Sequence, residues 1–239
     1  MSATVILKNA DEIKGFLARV GRFANICKSS EEKTDDVYKR IGLSVINAGH
    51  FSASRDFMFR FMVDGCSRVC SHQLVRHSVG VAINQASGVF QVLDTSQKYV
   101  MPESIAQNED ARDLFIRAEA HCKEVYNILI EEYKIPRSDA RYIIGQGSQT
   151  AMNISFTLEA LINLANERLC SHAQWEIQDV TRKMVALVAE AEPELSKFFY
   201  PKCVRHGACM EEKPCAQFGL IKERRRSLYG ARCSTIDRK

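Results

Sequence analysis

Residues 73–88 read Gln73-Leu74-Val75-Arg76-His77-Ser78-Val79-Gly80-Val81-Ala82-Ile83-Asn84-Gln85-Ala86-Ser87-Gly88. An amide, a guanidinium and an imidazole come at the end of an apolar helical run, Cys66 to Arg76, and open onto a loop of small and polar residues. Arg76 offers a planar fork that fits phosphate, while Gln73 and Asn84 can read the edge of a heterocycle. Ser87 and Gly88 allow backbone N–H groups to close on an anion. The stretch suits a nucleotide or another phosphorylated ligand. Taken alone, an Arg-His pair is better explained by a surface ion pair at Arg76 and a satisfied loop histidine at His77.

A second stretch narrows this choice: Asn166-Glu167-Arg168-Leu169-Cys170-Ser171-His172-Ala173-Gln174-Trp175-Glu176-Ile177-Gln178. Ser171 suits a helix N-cap, and Gln174 three residues on would complete a capping box. Asn166 and Arg168 would then precede a helix N-terminus, where anions are bound favourably. A capped helix with a buried Trp175 accounts for Ser171, Gln174 and Trp175. It leaves Asn166 and Arg168 without a reason.

Working outward, Val5-Ile6-Leu7 reads as a short strand, and Asp11 as the cap of a helix toward Phe23 with Ile13, Phe16, Leu17 and Val20 on one face. A polar loop, 29–36, leads into a helix striped by Val37, Ile41, Ser44-Val45 and Ala48. Phe57, Phe59, Phe61 and Val63 alternate strictly, the period of a half-buried strand, which Gly65 should end. From His77 to Val100 the chain is turn-rich, and a loop of that length is more often functional than idle. Ala111, Leu114, Phe115, Ala118, Cys122, Val125 and Leu129 mark a helix from Asp110 to Tyr133, broken at Ile135-Pro136. Ser138 should cap a shorter helix to Ile144. Met152–Phe156 then reads as a strand, Leu158–Ala165 and Ser171–Ala191 as helices, and Pro193 as the start of a last turn. The expectation is one α+β domain over residues 1–200, an antiparallel sheet with long helices, followed by a basic, Cys-rich extension over 201–239.

The 239 residues carry a net charge of +4 and 46% apolar residues, the balance of an ordinary globular chain. This mild positive charge suits small anions and says nothing by itself about nucleic acid. The start has neither a basic region nor a long apolar one, and no apolar run is long enough for a membrane span. A cytoplasmic protein is expected. The nine cysteines are an odd count in a long chain, so they read as reduced thiols, with Cys66, Cys70, Cys122 and Cys170 among apolar helical residues. In the extension, Cys203-x2-His206-x2-Cys209-x5-Cys215 lacks a close Cys-x2-Cys pair, so free thiols on a surface extension are expected ahead of a metal site. The run Lys222-Glu223-Arg224-Arg225-Arg226 reads as a solvated tail before a nucleic-acid contact.

Together the two quoted stretches resemble the flavin-dependent thymidylate synthases. That family carries Arg-His-Arg-x2-Ser-x-Asn-x2-Ser-x-Arg-Tyr with a Gln three residues upstream, and an Asn-x-Arg segment running into Ala-Gln-Trp-Glu-Ile-Arg. Gln73, Arg76, His77, Asn84, Ser87 and Gly88 stand in the first motif, and Asn166, Arg168 and Ala173 to Ile177 in the second. His50-x-Ser52 is similar to the family's flavin-contacting His-x-Ser/Thr, and Lys98-Tyr99-Val100-x-Pro102 to the strand after the signature loop. The resemblance runs from about Ser30 to Tyr200. It implies a homotetramer of α+β subunits with FAD at the subunit interfaces, using NADPH, methylenetetrahydrofolate and dUMP. Reduced flavin delivers a hydride while C5 of the pyrimidine gains its methyl carbon, and no enzyme nucleophile attacks the base. On this mapping His50, Ser52, Arg76, His77, Asn84, Asn166 and Arg168 would hold FAD. Gln73, Arg76, Ser87 and Gly88 would face the nucleotide; no residue is assigned as catalytic.

The departures fall on the charged positions. Ser78 replaces the second Arg, Val89-Phe90 replaces Arg-Tyr, and the loop from Arg76 to Ser87 is one residue longer. Gln178 stands where the family commonly has Arg, Arg55 where it has a Glu, and Ala151 where a basic residue is expected. Two lost phosphate contacts of about 1.5–3 kcal/mol each weaken such a site by orders of magnitude. Three readings follow: a working synthase whose phosphate is met by other arginines, such as Arg55, Arg60 or Arg68; a paralogue acting on another pyrimidine nucleotide or another flavin reduction; or a non-catalytic subunit that completes the site of a full-motif homologue.

Overall fold

The computed structural model describes residues 2–26, 31–87 and 98–215. Four strands, β1 (Thr4–Leu7), β2 (Phe59–Ser67), β3 (Val81–Gln85) and β4 (Gln149–Phe156), form an antiparallel sheet in the order β1-β2-β4-β3. The helices are α1 (Ala10–Ile13), α2 (Phe16–Asn25), α3 (Asp35–Asn47), α4 (Arg68–Leu74), α5 (Glu103–Ala106), α6 (Glu109–Glu131), α7 (Arg137–Ala140), α8 (Leu158–Arg168), α9 (Trp175–Ala191) and α10 (Lys202–His206). The fold is α+β, as the sequence pattern predicts. Among the described residues, no helix is long and apolar enough to cross a membrane.

The chain divides into two compact units, with boundaries that fall within the four strands and between Arg76 and His77. The larger takes the described residues of Ile6–Phe61, His77–Ala82 and those from Ser155 onward. Ile13, Phe16, Leu17 and Val20 are all buried in it, as their spacing predicts. They do not share one helix, however. Gly15 takes a left-handed φ of 72° and splits the run into α1 and α2, and Asn9, not Asp11, precedes the first turn. Asp11 instead pairs with Lys14 at the surface. Phe16 packs edge-on against Phe57, at 5.8 Å between ring centroids. The α3 stripe is shifted by one position from the expected one, burying Tyr38, Gly42 and Ile46. The reason is a close crossing of α2 on α3. A Cβ on Gly21 would lie 1.8 Å from the Tyr38 carbonyl oxygen, and one on Gly42 would lie 2.0 Å from that of Leu17. Behind this pair, Lys39 Nζ reaches Glu192 at 3.6 Å and Glu194 at 2.6 Å. Burial pushes the Glu192 carboxyl above its usual range.

The second unit takes Met62–Arg76, Ile83–Ile154 and the chain start. Gly65 does not end the aromatic strand. It adopts a φ of +75° within β2, which continues to Ser67. Up to Val63 the odd-numbered residues are buried; after Gly65 both Cys66 and Ser67 are. Cys66 therefore lies on a strand, and the following helix begins only at Arg68, where the Ser67 hydroxyl accepts from the Cys70 amide at 3.0 Å. β3 lies inside the segment expected to be one long loop. It is a short edge strand whose residues are exposed or half-buried. Pro136, not Ser138, precedes α7, and the Ser138 hydroxyl donates to Asp139. α6 matches its predicted extent within two residues, starting behind an Asn108 cap. Its apolar stripe is only partly covered: Tyr126 packs with Ala140, Leu129, Ile130 and Ile144, while Leu114 is 62% exposed and Ala118 is exposed one turn on.

On the same helix, burial raises the Glu119 carboxyl to about 7 from an ordinary 4.5, against the opposing charge of Lys123. The folded chain thus holds a proton that the unfolded chain loses first. Its contribution to stability is present below about 4.5 and is lost as pH rises through about 7. A thermal unfolding series across that window should show a falling midpoint that Glu119→Gln flattens.

Candidate functional site

In the larger unit the site residues are set by α8 and a strap, His77–Gly80, that runs along it. At one end Arg168 Nε donates to His77 Nε2 at 3.0 Å. At the other, the Thr157 amide donates to the Gly80 carbonyl at 2.9 Å. Thr157 is itself the N-cap of α8, its hydroxyl accepting from the Ala160 amide. Gly80 has a φ of +71°, and a Cβ there would come within 2.6 Å of Thr157 Oγ1. Any larger residue would lift the strap, so Gly80 is a positioning residue that the motif reading missed. A glycine in a polar loop was its only signal.

The contact to Arg168 fixes the chemistry of His77. A guanidinium only donates, so Nε2 is the acceptor and the ring proton sits on Nδ1. Burial, and then the Arg168 charge, hold the imidazole below its ordinary range. His77 is therefore neutral at pH 7, with one N–H to offer a ligand. Arg168 keeps its remaining N–H donors.

Asn166 and Arg168 lie on the last turn of α8, and not ahead of a helix N-terminus as expected. The next helix starts later than predicted, at Trp175. Gln174 is its N-cap, with Oε1 accepting from the Glu176 amide at 3.0 Å and the Ile177 amide at 3.2 Å. A capping box from Ser171 is not formed, Trp175 is 40% exposed, and Cys170 lies in the turn between the helices. Gln178 closes that turn by donating to the Cys170 carbonyl at 2.7 Å, and it also contacts Arg182. Asn166 is 6% exposed, and its Oδ1 is buried without a hydrogen-bond partner among the described residues. An unmet buried acceptor costs about 1–3 kcal/mol.

His50 and Ser52 are exposed on a short 3₁₀ turn that packs against both α2 and α8. Arg55, just after that turn, is engaged by Glu159 at 3.5 Å.

In the smaller unit, Gln73 is half-buried on the last turn of α4, and Arg76 is exposed two residues beyond that helix. Asn84 is exposed on β3 and Ser87 just after it. Gly88, Val89 and Phe90 lie outside the described residues. Ala151 is on β4, where its carbonyl accepts from the Ala86 amide at 2.8 Å. Of the arginines weighed as replacement phosphate contacts, Arg55 is paired as above and Arg60 meets Glu12 at 3.3 Å. Arg68 has no carboxylate within ion-pair distance among the described residues. Burial, then the charge of Arg141, lower its pKa.

Among the described residues, no three His, Cys, Asp or Glu side chains stand together as a metal set, the Cys203/His206/Cys209/Cys215 group included. Cys203 departs from the expected surface extension, because it is buried on α10.

The profile of the family described as "Thymidylate synthase complementing protein" matches residues 7–194. The chain is 33% identical over 176 residues to the flavin-dependent thymidylate synthase of Thermococcus onnurineus, covering 70% of each protein. It is 31% identical over 207 residues to the enzyme of that name from Pyrococcus abyssi, with 82% of this chain and 84% of the relative covered. The one from Geobacter sulfurreducens is 28% identical over 202 residues, covering 81% and 86%. A match over most of the chain, together with the motif residues on α4, on the strap and on α8, leads to one conclusion: this chain belongs to the flavin-dependent thymidylate synthase family.

Proposed function

We propose that the chain, through a domain spanning residues 1–200, methylates dUMP at C5 to give dTMP. FAD would be its flavin, NADPH its reductant and methylenetetrahydrofolate its one-carbon donor. The observations that carry this reading are the pair His77 and Arg168, locked at 3.0 Å, and, two residues before Arg168 on α8, a buried Asn166 oxygen that lacks a donor among the described residues. These residues fit a flavin. The ring system of FAD offers an N–H for Asn166 Oδ1 and carbonyl oxygens for the His77 and Arg168 donors, and its diphosphate suits guanidinium groups. His50, Ser52, Arg76 and Asn84 complete the proposed flavin set. Gln73, Arg76, Ser87 and Gly88 are proposed to receive the nucleotide. The bound flavin supplies hydride. The chain's own part is to orient the two ligands, to keep His77 neutral as a donor at Nδ1, and to exclude water.

Assembly as a homotetramer is supported by the exposed Leu114 and Ala118, one turn apart on α6, which leave part of its apolar stripe for a second subunit to cover.

Arg168→Ala removes a charge-assisted donor of about 1.5–3 kcal/mol. Flavin affinity, followed by fluorescence quenching, is expected to fall about 10–100-fold. In the same variant the His77 ring should titrate higher by NMR, though still below its free value, because burial is the larger cause of its shift.

The purified protein should be yellow with a flavin spectrum, and it should release tritium from [5-³H]dUMP when NADPH and the folate are present. Colourless protein that takes up no FAD would reject the proposal. A second reading is favoured by one observation: Ser78, in place of a phosphate-binding Arg, is exposed, while Arg55 and Arg60 are already occupied by carboxylates. Flavin binding without tritium release selects it, as a paralogue for another pyrimidine nucleotide. Co-purification with a full-motif homologue would instead identify a heteromeric partner subunit.

A further inference from the structure

The turn after α8 and the segment around α10 face each other across a small cavity in the larger unit. Its wall includes four thiols, Cys170, Cys203, Cys209 and Cys215, together with His172 and Lys202. The proposed flavin and nucleotide chemistry uses none of them.

The arrangement differs from core packing of sulfur. Cys170 is half-exposed, with its Sγ 3.8 Å from His172 Nδ1, within hydrogen-bond distance of the imidazole. The Lys202 ammonium lies within electrostatic reach of Cys170 and is held between Glu167 at 3.7 Å and Glu211 at 3.2 Å. Cys203 is only 7% exposed, and both Cys170 and Cys209 lie within its electrostatic range, Cys170 the more strongly. An accessible sulfur beside a base and a cation is the one an oxidant reaches first, and a buried neighbour is suited to trap the product.

We propose that Cys170 and Cys203 form a thiol–disulfide modification site, with a hydroperoxide as oxidant. The Cys170 sulfur attacks one peroxide oxygen, and the O–O bond breaks. With hydrogen peroxide, one water leaves and Cys170 becomes a sulfenic acid, two electrons more oxidised. The Cys203 sulfur then attacks the Cys170 sulfur, the S–O bond breaks, and a second water leaves as the S–S bond forms. The two thiols give up two electrons and two protons, and the peroxide becomes two waters. The bond ties α10 to the turn two residues beyond Arg168. It does not depend on the proposed reaction, because it needs neither flavin nor nucleotide.

The test uses the full chain, reduced, treated with hydrogen peroxide, alkylated and digested with trypsin without reductant. Mass spectrometry should find the peptide of residues 169–182 joined to that of residues 203–205, lighter than their sum by two hydrogens. The cross-link should be absent from Cys170→Ser, a change at a half-exposed position that the fold tolerates, and from Cys203→Ser. It should also disappear on adding a thiol reductant. Cys203 linked to Cys209 or Cys215 in the unsubstituted chain, or Cys170 recovered alkylated or over-oxidised with no link, overturns the assignment.

Discussion

Asn166→Leu is expected to make the flavin-free protein more stable and its flavin binding weaker. The side chain is buried on the last turn of α8, and its Oδ1 meets no donor. Leucine keeps the branched outline of asparagine and removes the unmet acceptor, so the flavin-free chain should gain on the order of 1 kcal/mol. If that oxygen accepts from the flavin, losing the hydrogen bond costs about 1.4 kcal/mol or more, a tenfold or greater rise in Kd. Thermal melts without flavin and quenching titrations with it read the two effects separately. Opposite signs are the prediction. A loss in both would make Asn166 a structural residue and would remove the main support for a flavin at α8.

Gly42→Ala should do the reverse of what helix propensity suggests. Within an exposed helix the change stabilises by about 1 kcal/mol. Here the added Cβ would lie 2.0 Å from the Leu17 carbonyl oxygen, with the Gly21 amide 3.0 Å away on the same facing helix. Both obstacles are backbone, so no side-chain rotation relieves them, and α2 must move off α3. That shift would open the contact between Phe16 and Phe57 and disturb the burial of Leu17. A loss of about 3 kcal/mol is expected, at the upper end of overpacking effects. Urea unfolding measures it, with Ser44→Ala on the exposed face of α3 as a control that stays within about 0.5 kcal/mol. A stability equal to the parent's would show that the two helices do not touch at their glycines.

The sequence was most readable where periodicity and burial agree. Phe59, Phe61 and Val63 alternate because one face of β2 is fully covered, and α6 is long enough for its period to dominate. Reading failed where a single backbone angle or a side-chain competition decides. At Gly15 a left-handed φ divides a helix whose apolar spacing continues unbroken, because α1 and α2 still bury their residues in one core. β3 is too short and too exposed on its sheet edge to show a pattern. The sequence points to Ser171 as the cap with Gln174 as its partner, yet the glutamine caps because its oxygen reaches two amides of α9. The identities of the candidate site residues came from the motif; their surroundings did not. Nothing local in the sequence announces that His77 would meet Arg168, ninety-one positions away. Nor does it show that Gly80 would be pinned to the start of the same helix.

The left-handed Gly65 has a consequence for how this protein tolerates length changes. Since side chains on a strand alternate faces, the extra backbone turn at Gly65 resets which residues point inward, and Ser67 emerges in the orientation that caps α4. Substitutions between Phe59 and Ser67 alter one side chain each. Deleting a single residue there would turn the end of the strand over, leave α4 uncapped, and carry Gln73 and Arg76 with it. The segment should therefore accept replacements at its exposed positions, Arg60 and Asp64, and almost no insertions or deletions anywhere, a frame within the fold that a library of one-residue deletions would reveal directly.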